Sequence, residues 1–102
     1  MYAIETRVFT ANANRYLLQL CKHWAHKREV VFTPSEARVP FTEGAECLLG
    51  ADADGLDVRI NAADASEASR LGQVVIDHLL RFAFREGLQP PVWRLVPDAG
   101  AA

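Results

Sequence analysis

The sequence has 102 residues, of which 50% are hydrophobic and 24% charged, and its formal net charge is −2. This length suits one domain and not two. The composition is that of a globular protein, which excludes a disordered or membrane-like chain. The small negative charge gives no reason to expect nucleic-acid binding. We therefore expect one domain over residues 1–97 and a flexible tail over residues 98–102.

The charge is unevenly distributed along the chain. Residues 1–40 contain six basic and three acidic side chains, whereas residues 41–102 contain five basic and ten acidic ones. This polarity favours self-association or an anionic ligand over the first half. The chain begins without the regions of a signal peptide, and no apolar run reaches the roughly 18 residues of a membrane helix. We expect a cytoplasmic protein with no membrane contact and with its two cysteines reduced.

The first half of the chain predicts a strand, a helix and two further strands. Apolar and polar residues alternate over residues 2–8, which is typical of a strand with one buried face. The first helix is expected to end near residue 26 or 27. Residues 29–32 predict a second strand, and residues 38–41 a short edge strand, because Pro40 has no N–H group to donate to a ladder.

The second half predicts a hairpin, a helix and a last strand. Residues 45–51 and 56–61 flank an Asp-Gly turn signal, and residues 92–96 are the last strand. The helix between them begins at Asp64, the start of a capping box, and runs to about residue 86. The order β-α-β-(β)-β-β-α-β predicts an α+β two-layer sandwich, with a mostly antiparallel sheet and two helices on one face.

The second helix is apolar nearly all round. One apolar face includes His78, and Ile76, Leu80 and Phe84 form another on roughly the opposite side. A two-layer domain covers only one side of a helix. One prediction is therefore a homodimer whose interface is formed by Ile76, Leu80 and Phe84. The alternative is that the first helix or the C-terminal tail covers this face.

Three side chains near the end of the first helix resemble a metal motif when the sequence is read linearly. At 100° per residue, however, Cys21 lies about 200° from His23 and about 140° from His26, so one ion could not bind Cys21 with either imidazole. His23 and His26 are about 60° apart and could share a ligand. Zinc usually needs three or four ligands, and His78 is the remaining histidine. A metal remains possible, with these three histidines as candidates, and no other cofactor is evident.

His78 lies on the apolar face of the second helix, where a histidine is usually neutral, hydrogen-bonded and structural. The functional alternative is that His78 and His23 line one pocket between the helices. The predicted ligand site is the groove near Arg15, His23, His26, His78 and Arg81. There the basic groups would hold an anionic small ligand or a metal chelate, provided that at least two of them point into a common cavity.

The two cysteines allow a third interpretation, a small enzyme with a His/Cys site. Such an enzyme needs a thiolate whose pKa is lowered by a nearby base or cation. Cys21 lies on the core side of the first helix and Cys47 lies in a predicted strand beside two leucines, so both are expected to be buried thiols. No catalytic residue is assigned, and a binding or accessory protein is the leading interpretation.

Three segments resemble a known family. They are the run Arg-Tyr-Leu-Leu-Gln-Leu-Cys-Lys-His-Trp-Ala-His-Lys at 15–27, Val-Ile-Asp-His-Leu-Leu-Arg-Phe-Ala at 75–83, and Val92-Trp93. They are similar to the bacterial family catalogued as domain of unknown function 2218, and the resemblance covers nearly the whole chain. The family implies no activity and no catalytic residues. Some members resemble modules associated with siderophore or iron uptake, so the alternative function is a metal- or iron/siderophore-linked protein that uses the helix histidines.

Overall fold

The computed structural model describes residues 2–42, 44–89 and 91–96, so the tail predicted over 98–102 lies outside the described residues. The described part of the chain forms strands and two α-helices. In chain order they are β1 (Tyr2–Phe9), α1 (Ala13–Trp24), β2 (Val31–Phe32), β3 (Glu36–Thr42), β4 (Ala45–Ala51), β5 (Gly55–Ala62), α2 (Ala65–Phe82) and β6 (Arg94–Leu95), with a 3₁₀ turn, Phe84–Glu86, after α2.

The strands form one sheet in the order β2-β3-β4-β5-β1-β6, and all the neighbouring pairs are antiparallel. The predicted hairpin of β4 and β5 is present, with Leu49 opposite Val58. The N-terminal strand β1 lies between β5 and the short C-terminal strand β6. The predicted α+β class and mostly antiparallel sheet are therefore confirmed.

Strict alternation along the strands gives the sheet two different faces. On β5, Val58 and Ile60 are buried and join a core with Leu17 of α1 and Val75 of α2, whereas the intervening Arg59 points to the other face. Both helices thus pack on the same face, as predicted. The opposite face, which we call the open face, carries no helix among the described residues.

The edge position predicted for residues 38–41 is wrong, because β3 lies between β2 and β4. The two-residue strand β2 pairs with β3 only at Ala37 and Arg38. Pro40 lies beyond the end of β2, so its missing N–H group removes no hydrogen bond on that side. Pro40 is thus tolerated because β2 is too short to pair with it, and not because β3 is the edge strand of the sheet.

The ends of the helices are set by local hydrogen bonds. Helix α1 ends at Trp24, and the N–H groups of Lys27 and Arg28 both donate to the Trp24 carbonyl in the turn that follows. His26 therefore lies in this turn and not in the helix. Helix α2 is capped as predicted, since the Asp64 carboxylate accepts a hydrogen bond of 2.9 Å from the Glu67 N–H. None of the described helices is long and apolar enough to cross a membrane.

Replacing Asp64 with alanine is expected to lower the free energy of unfolding by about 1 kcal/mol, within the range of about 0.5–2 kcal/mol for such caps, because the Glu67 N–H loses its partner. Urea denaturation followed by circular dichroism measures the change. Asp64→Asn is the matched control, since asparagine caps about as well as aspartate. An equal loss in both variants would contradict the capping role.

Candidate functional site

Five rings from three elements form a continuous row where α1 ends, and we call it the ring row. Its neighbouring members are Phe82 and His23, 6.2 Å apart between centroids, then His23 and His78 at 4.9 Å. His78 lies 5.4 Å from Trp24, which is 5.2 Å from Phe41 in an edge-to-face arrangement. The row therefore joins the end of α1, the C-terminal half of α2 and the end of β3.

The sequence places these rings through helical geometry and strand alternation. Trp24 continues the buried stripe of α1 and is only 6% exposed. His23, one residue earlier, is rotated by about 100° and is exposed at the boundary with α2. Phe41 shares the helix-facing side of β3 with buried Val39, so it reaches Trp24 from the sheet. The contact between His23 and His78 realises the pairing considered from the sequence.

The orientation of the His78 ring is fixed by a hydrogen bond to its own helix. Nδ1 of His78 lies 2.7 Å from the carbonyl oxygen of Val74, one turn earlier. Because a carbonyl oxygen only accepts hydrogen bonds, Nδ1 carries the proton and donates. Nε2 is then an acceptor when the ring is neutral and a donor when it is protonated. His78 is half-buried, so it combines a structural hydrogen bond with a nitrogen available to a ligand.

The ring row borders a cavity of about 510 Å³, which we call the basic cavity. This volume falls in the range of small-molecule sites. Aromatic and aliphatic side chains, Trp24, Phe41, Leu71 and Val74, supply its apolar lining. No carboxylate is found among the described residues of the wall. The polar lining is basic throughout and consists of His23, His26, Lys27, Arg28, Arg70 and His78.

The cations of the wall differ in how they are held. Arg28 donates from Nη1 to the Phe41 carbonyl, and its guanidinium lies 4.6 Å from the centre of the Phe41 ring. Arg70 lies 3.4 Å from a Glu67 oxygen, a long contact for an ion pair. The side chains of Lys27 and His26 make no hydrogen bond or ion pair within residues 2–42, 44–89 and 91–96. Arg28 therefore fixes the wall, and the others remain able to turn toward a ligand.

The wall carries a positive potential, which acts on His23. Partial desolvation lowers the pKa of His23 below its usual range, and the charges of His78, His26, Arg81 and Lys27 lower it further. These are groups of like charge from the turn after α1 and from α2. An anion in the cavity would counter all of them, so anion binding and protonation of His23 favour each other.

The residues predicted from the sequence are only partly brought together. His23, His26 and His78 line the basic cavity, and Arg81 is near enough for its charge to act on His23. Arg15 does not line the cavity, because it lies eight residues before His23, about 12 Å along the helix. Sequence reasoning did not select Lys27, Arg28 or Arg70 for the site. The pattern that could have identified them is the basic pair Lys27-Arg28 directly after the helix and Arg70 about two turns before His78.

A metal centre has less support among the described residues. No three His, Cys, Asp or Glu side chains in that part of the chain lie close enough together to hold an ion. His23 and His78 are adjacent, but a pair of imidazoles leaves a zinc ion short of ligands. The surrounding cations also oppose a bare metal ion.

Both cysteines are free, buried thiols. Burial raises the pKa of Cys21 to about 11, and burial followed by the nearby Cys21 and Glu46 raises the pKa of Cys47. Raised values oppose the thiolate that a cysteine nucleophile requires. We expect neither thiol of the folded protein to react with a disulfide reagent within minutes at pH 8, and both to react in urea. Rapid reaction of the folded protein would instead support the interpretation as an enzyme with a His/Cys site.

The surface predicted as a subunit interface is partly covered within the chain. Ile76 is only 5% exposed, Leu80 is half-buried, and Phe84 is 71% exposed. Ile76 is thus accounted for without a second subunit. The homodimer through Ile76, Leu80 and Phe84 stays a prediction, and light scattering on the purified protein at tens of micromolar is its test.

The fold and the basic cavity together define a small α+β protein with a candidate anion site on one side of its helices. A family model described as "Uncharacterized protein conserved in bacteria (DUF2218)" matches residues 5–94, and the chain belongs to this family. Among solved structures, the chain is similar to the NMR structure of PA4090 from Pseudomonas aeruginosa, with 36% identity and a TM-score of 0.79. The match covers 92% of this chain and 96% of that one. No curated protein matches the chain.

Proposed function

We propose that this protein binds a small anionic ligand in the basic cavity and acts as a binding or accessory protein. The observation that carries the proposal is the wall itself, in which six basic side chains and no described carboxylate surround about 510 Å³. Carboxylate, sulfate and phosphate groups have the charge and the acceptor oxygens that such a wall would hold. The apolar part of the wall, with Trp24 and Phe41, would bury the uncharged part of the ligand.

The residues have different roles in this proposal. Lys27 and Arg70 supply charges that can turn toward the ligand, whereas Arg28 fixes the turn after α1 against β3. His78 offers Nε2, because its Nδ1 is committed to Val74. His23 couples binding to protonation through the charges around it. Arg81 adds to the potential without lining the cavity, and Arg15 is omitted from the site.

The experiment is calorimetric titration of the full chain with citrate at fixed ionic strength, with sulfate as a second probe. Lys27→Gln and Arg70→Gln are expected to weaken citrate binding by about tenfold each, which corresponds to about 1.4 kcal/mol. Arg15→Gln removes the same charge from the same protein but away from the cavity, so it is the matched control and is expected to change affinity by less than about twofold.

Two outcomes would overturn the proposal. One is the absence of citrate and sulfate binding to the wild-type protein at millimolar concentrations. The other is an equal loss of affinity in Arg15→Gln and Lys27→Gln, because this would show that the overall charge and not the cavity attracts the anion.

The second candidate function is a metal- or iron-linked protein, and the specific observation in its favour is the 4.9 Å contact between the His23 and His78 rings. A basic wall repels a bare divalent ion but attracts an anionic metal chelate, so the two ligands can be distinguished. Stoichiometric binding of zinc that is lost in His23→Gln would favour the bare ion and contradict the anion site. Ferric citrate that binds like citrate, with the same losses in Lys27→Gln and Arg70→Gln, would support the anion site and include chelates in its ligand class.

We also propose the cytoplasm as the location of this binding protein. The proposal rests on the sequence and on two free thiols buried in the core, which suit a reducing compartment.

A further inference from the structure

The open face of the sheet contains a second and larger concavity, which we call the sheet groove. Its volume is about 1220 Å³, and it lies on the side of the sheet away from the helices and from the basic cavity. Its floor is formed by β1, β3, β4 and β5, and its sides are raised by β2 and by the segment that leads into β6. The groove therefore spans nearly the whole width of the sheet.

Apolar side chains are unusually exposed along this groove. Val92 is 85% exposed, Phe9 73% and Val31 69%, and all three line it. Leu48 lies on the floor at the centre of the sheet. These exposed apolar side chains lie at the sides of the groove, and Leu48 provides apolar surface between them on its floor.

The arginines of the groove differ in whether they are paired with a carboxylate. Three of them are neutralised within the chain at distances of 2.7–3.0 Å, and the exception is Arg59, which has no carboxylate within 4.0 Å among the described residues. The neutralised pairs are Arg7 with Asp52 and Asp57, Arg38 with Glu46, and Arg94 with Glu5.

Arg59 is held in place and forms no ion pair within 4.0 Å with a described carboxylate. Its charge acts over a longer distance on Glu46, whose pKa is lowered first by the hydrogen bond from Asn61 and further by Arg38 and Arg59. The Nε of Arg59 donates a 3.0 Å hydrogen bond to Oδ1 of Asn61, which is itself 94% buried. The two terminal nitrogens of Arg59 make no hydrogen bond to a described residue, although the side chain is partly buried. In the register of the sheet, Arg59 lies between Leu48 on β4 and Glu5 on β1. A fixed guanidinium with its fork open is suited to a carboxylate or phosphate.

We propose that the sheet groove binds a small amphipathic anion, whose carboxylate pairs with Arg59 and whose apolar body lies across Leu48 toward Val31. From β5 to β2 there are three strand spacings, or about 14 Å, which suits a medium-length acyl chain. Arg38 lies on this path, but its charge is already neutralised by Glu46. Glu36 also lines the sheet groove, is exposed, and forms no ion pair with a described residue. Its negative charge would repel a second anionic group on the ligand.

A second copy of this chain fits the groove less well than a small anion does. The centre of a protein–protein interface is depleted in charged residues, whereas this floor carries arginines and carboxylates on neighbouring strands. One partly buried guanidinium without a carboxylate is a feature of a small-molecule site. Self-association through this face is nonetheless an outcome that the experiment distinguishes.

Decanoate is the probe, titrated into the full chain by calorimetry below its micellar range, with hexanoate and decanol for comparison. Decanoate is expected to bind about tenfold or more tightly than hexanoate, because four more methylene groups leave water. Arg59→Gln is expected to weaken decanoate binding by about tenfold. Arg15→Gln is the matched control, since it removes an exposed arginine of α1 that does not line the groove, and its effect should stay below about twofold. Glu36→Gln is expected to tighten binding.

Four outcomes would overturn this inference: no binding of decanoate, equal binding of decanoate and decanol, equal losses in Arg59→Gln and Arg15→Gln, or a dimer by light scattering that dissociates in Arg59→Gln. The test is separate from that of the basic cavity. Lys27→Gln should weaken citrate binding and leave decanoate binding unchanged, and Arg59→Gln should weaken decanoate binding and leave citrate binding unchanged.

Discussion

Trp24→Ala is expected to lower the free energy of unfolding by about 3–5 kcal/mol, the usual cost of truncating a buried aromatic side chain. Trp24 is 6% exposed and belongs to the core, and it also contacts Phe41 at 5.2 Å and His78 at 5.4 Å between ring centroids. Its loss removes packing from both helices and from β3. Because Trp24 lines the basic cavity, citrate binding should be lost with it, even where the variant remains folded.

Urea denaturation followed by circular dichroism measures this change. Phe84→Ala is the control, because Phe84 is 71% exposed and its truncation is expected to cost less than about 0.5 kcal/mol. Trp24→Phe should fall between the two and should keep part of the ring row. A loss below about 1 kcal/mol in Trp24→Ala would contradict the central packing role of this residue.

Sulfate is expected to bind more tightly as the pH falls from 8 to 5.5, by about tenfold, because binding in the basic cavity is linked to protonation of His23. The pKa of His23 is lowered in the folded protein by desolvation and then by the charges of His78, His26, Arg81 and Lys27. An anion among these groups raises that pKa again, so His23 takes up a proton when the anion binds. Sulfate keeps its charge through this pH range, so a change in its affinity reflects protonation of the protein and not of the ligand.

The lowered pKa of His23 also determines how the stability of the protein depends on pH when no anion is bound. Because the folded-state pKa of His23 lies below its unfolded value of about 6.5, its neutral form is favoured in the fold, and stability falls as the pH drops through the folded-state pKa. Sulfate should restore this stability. His23→Gln should flatten both dependences, and Arg15→Gln should leave them intact. Tighter sulfate binding at pH 8 than at pH 5.5 would contradict the linkage.

The helices of the site could largely be predicted from the sequence, because their geometry is local. A rotation of 100° per residue separates Cys21 and Trp24, which are buried, from His23, which is exposed beside α2. The Asp64 cap follows from its own residue type. The same rotation ruled out a joint site for Cys21 and His23, and the two side chains do lie in different environments.

The rest of the site depends on the order of the strands, which no local pattern determines. Phe41 reaches Trp24 because β3 pairs with β4 and carries Phe41 on its helix-facing side, and this pairing is not predicted by any pattern around Pro40. Arg28 lines the cavity because its guanidinium is held by Phe41, a contact across 13 residues. Arg15 was predicted for the site because of its charge, but its distance from His23 along α1 places it outside the basic cavity.

NMR of the imidazole rings during titration with sulfate tests directly whether an anion binds among the histidines. Three histidines give three separable sets of ring signals. We expect the signals of His23, His26 and His78 to shift together with one affinity and the pKa of His23 to rise when sulfate is bound. Ring signals that do not move, or a His23 pKa that stays the same with and without sulfate, would contradict it.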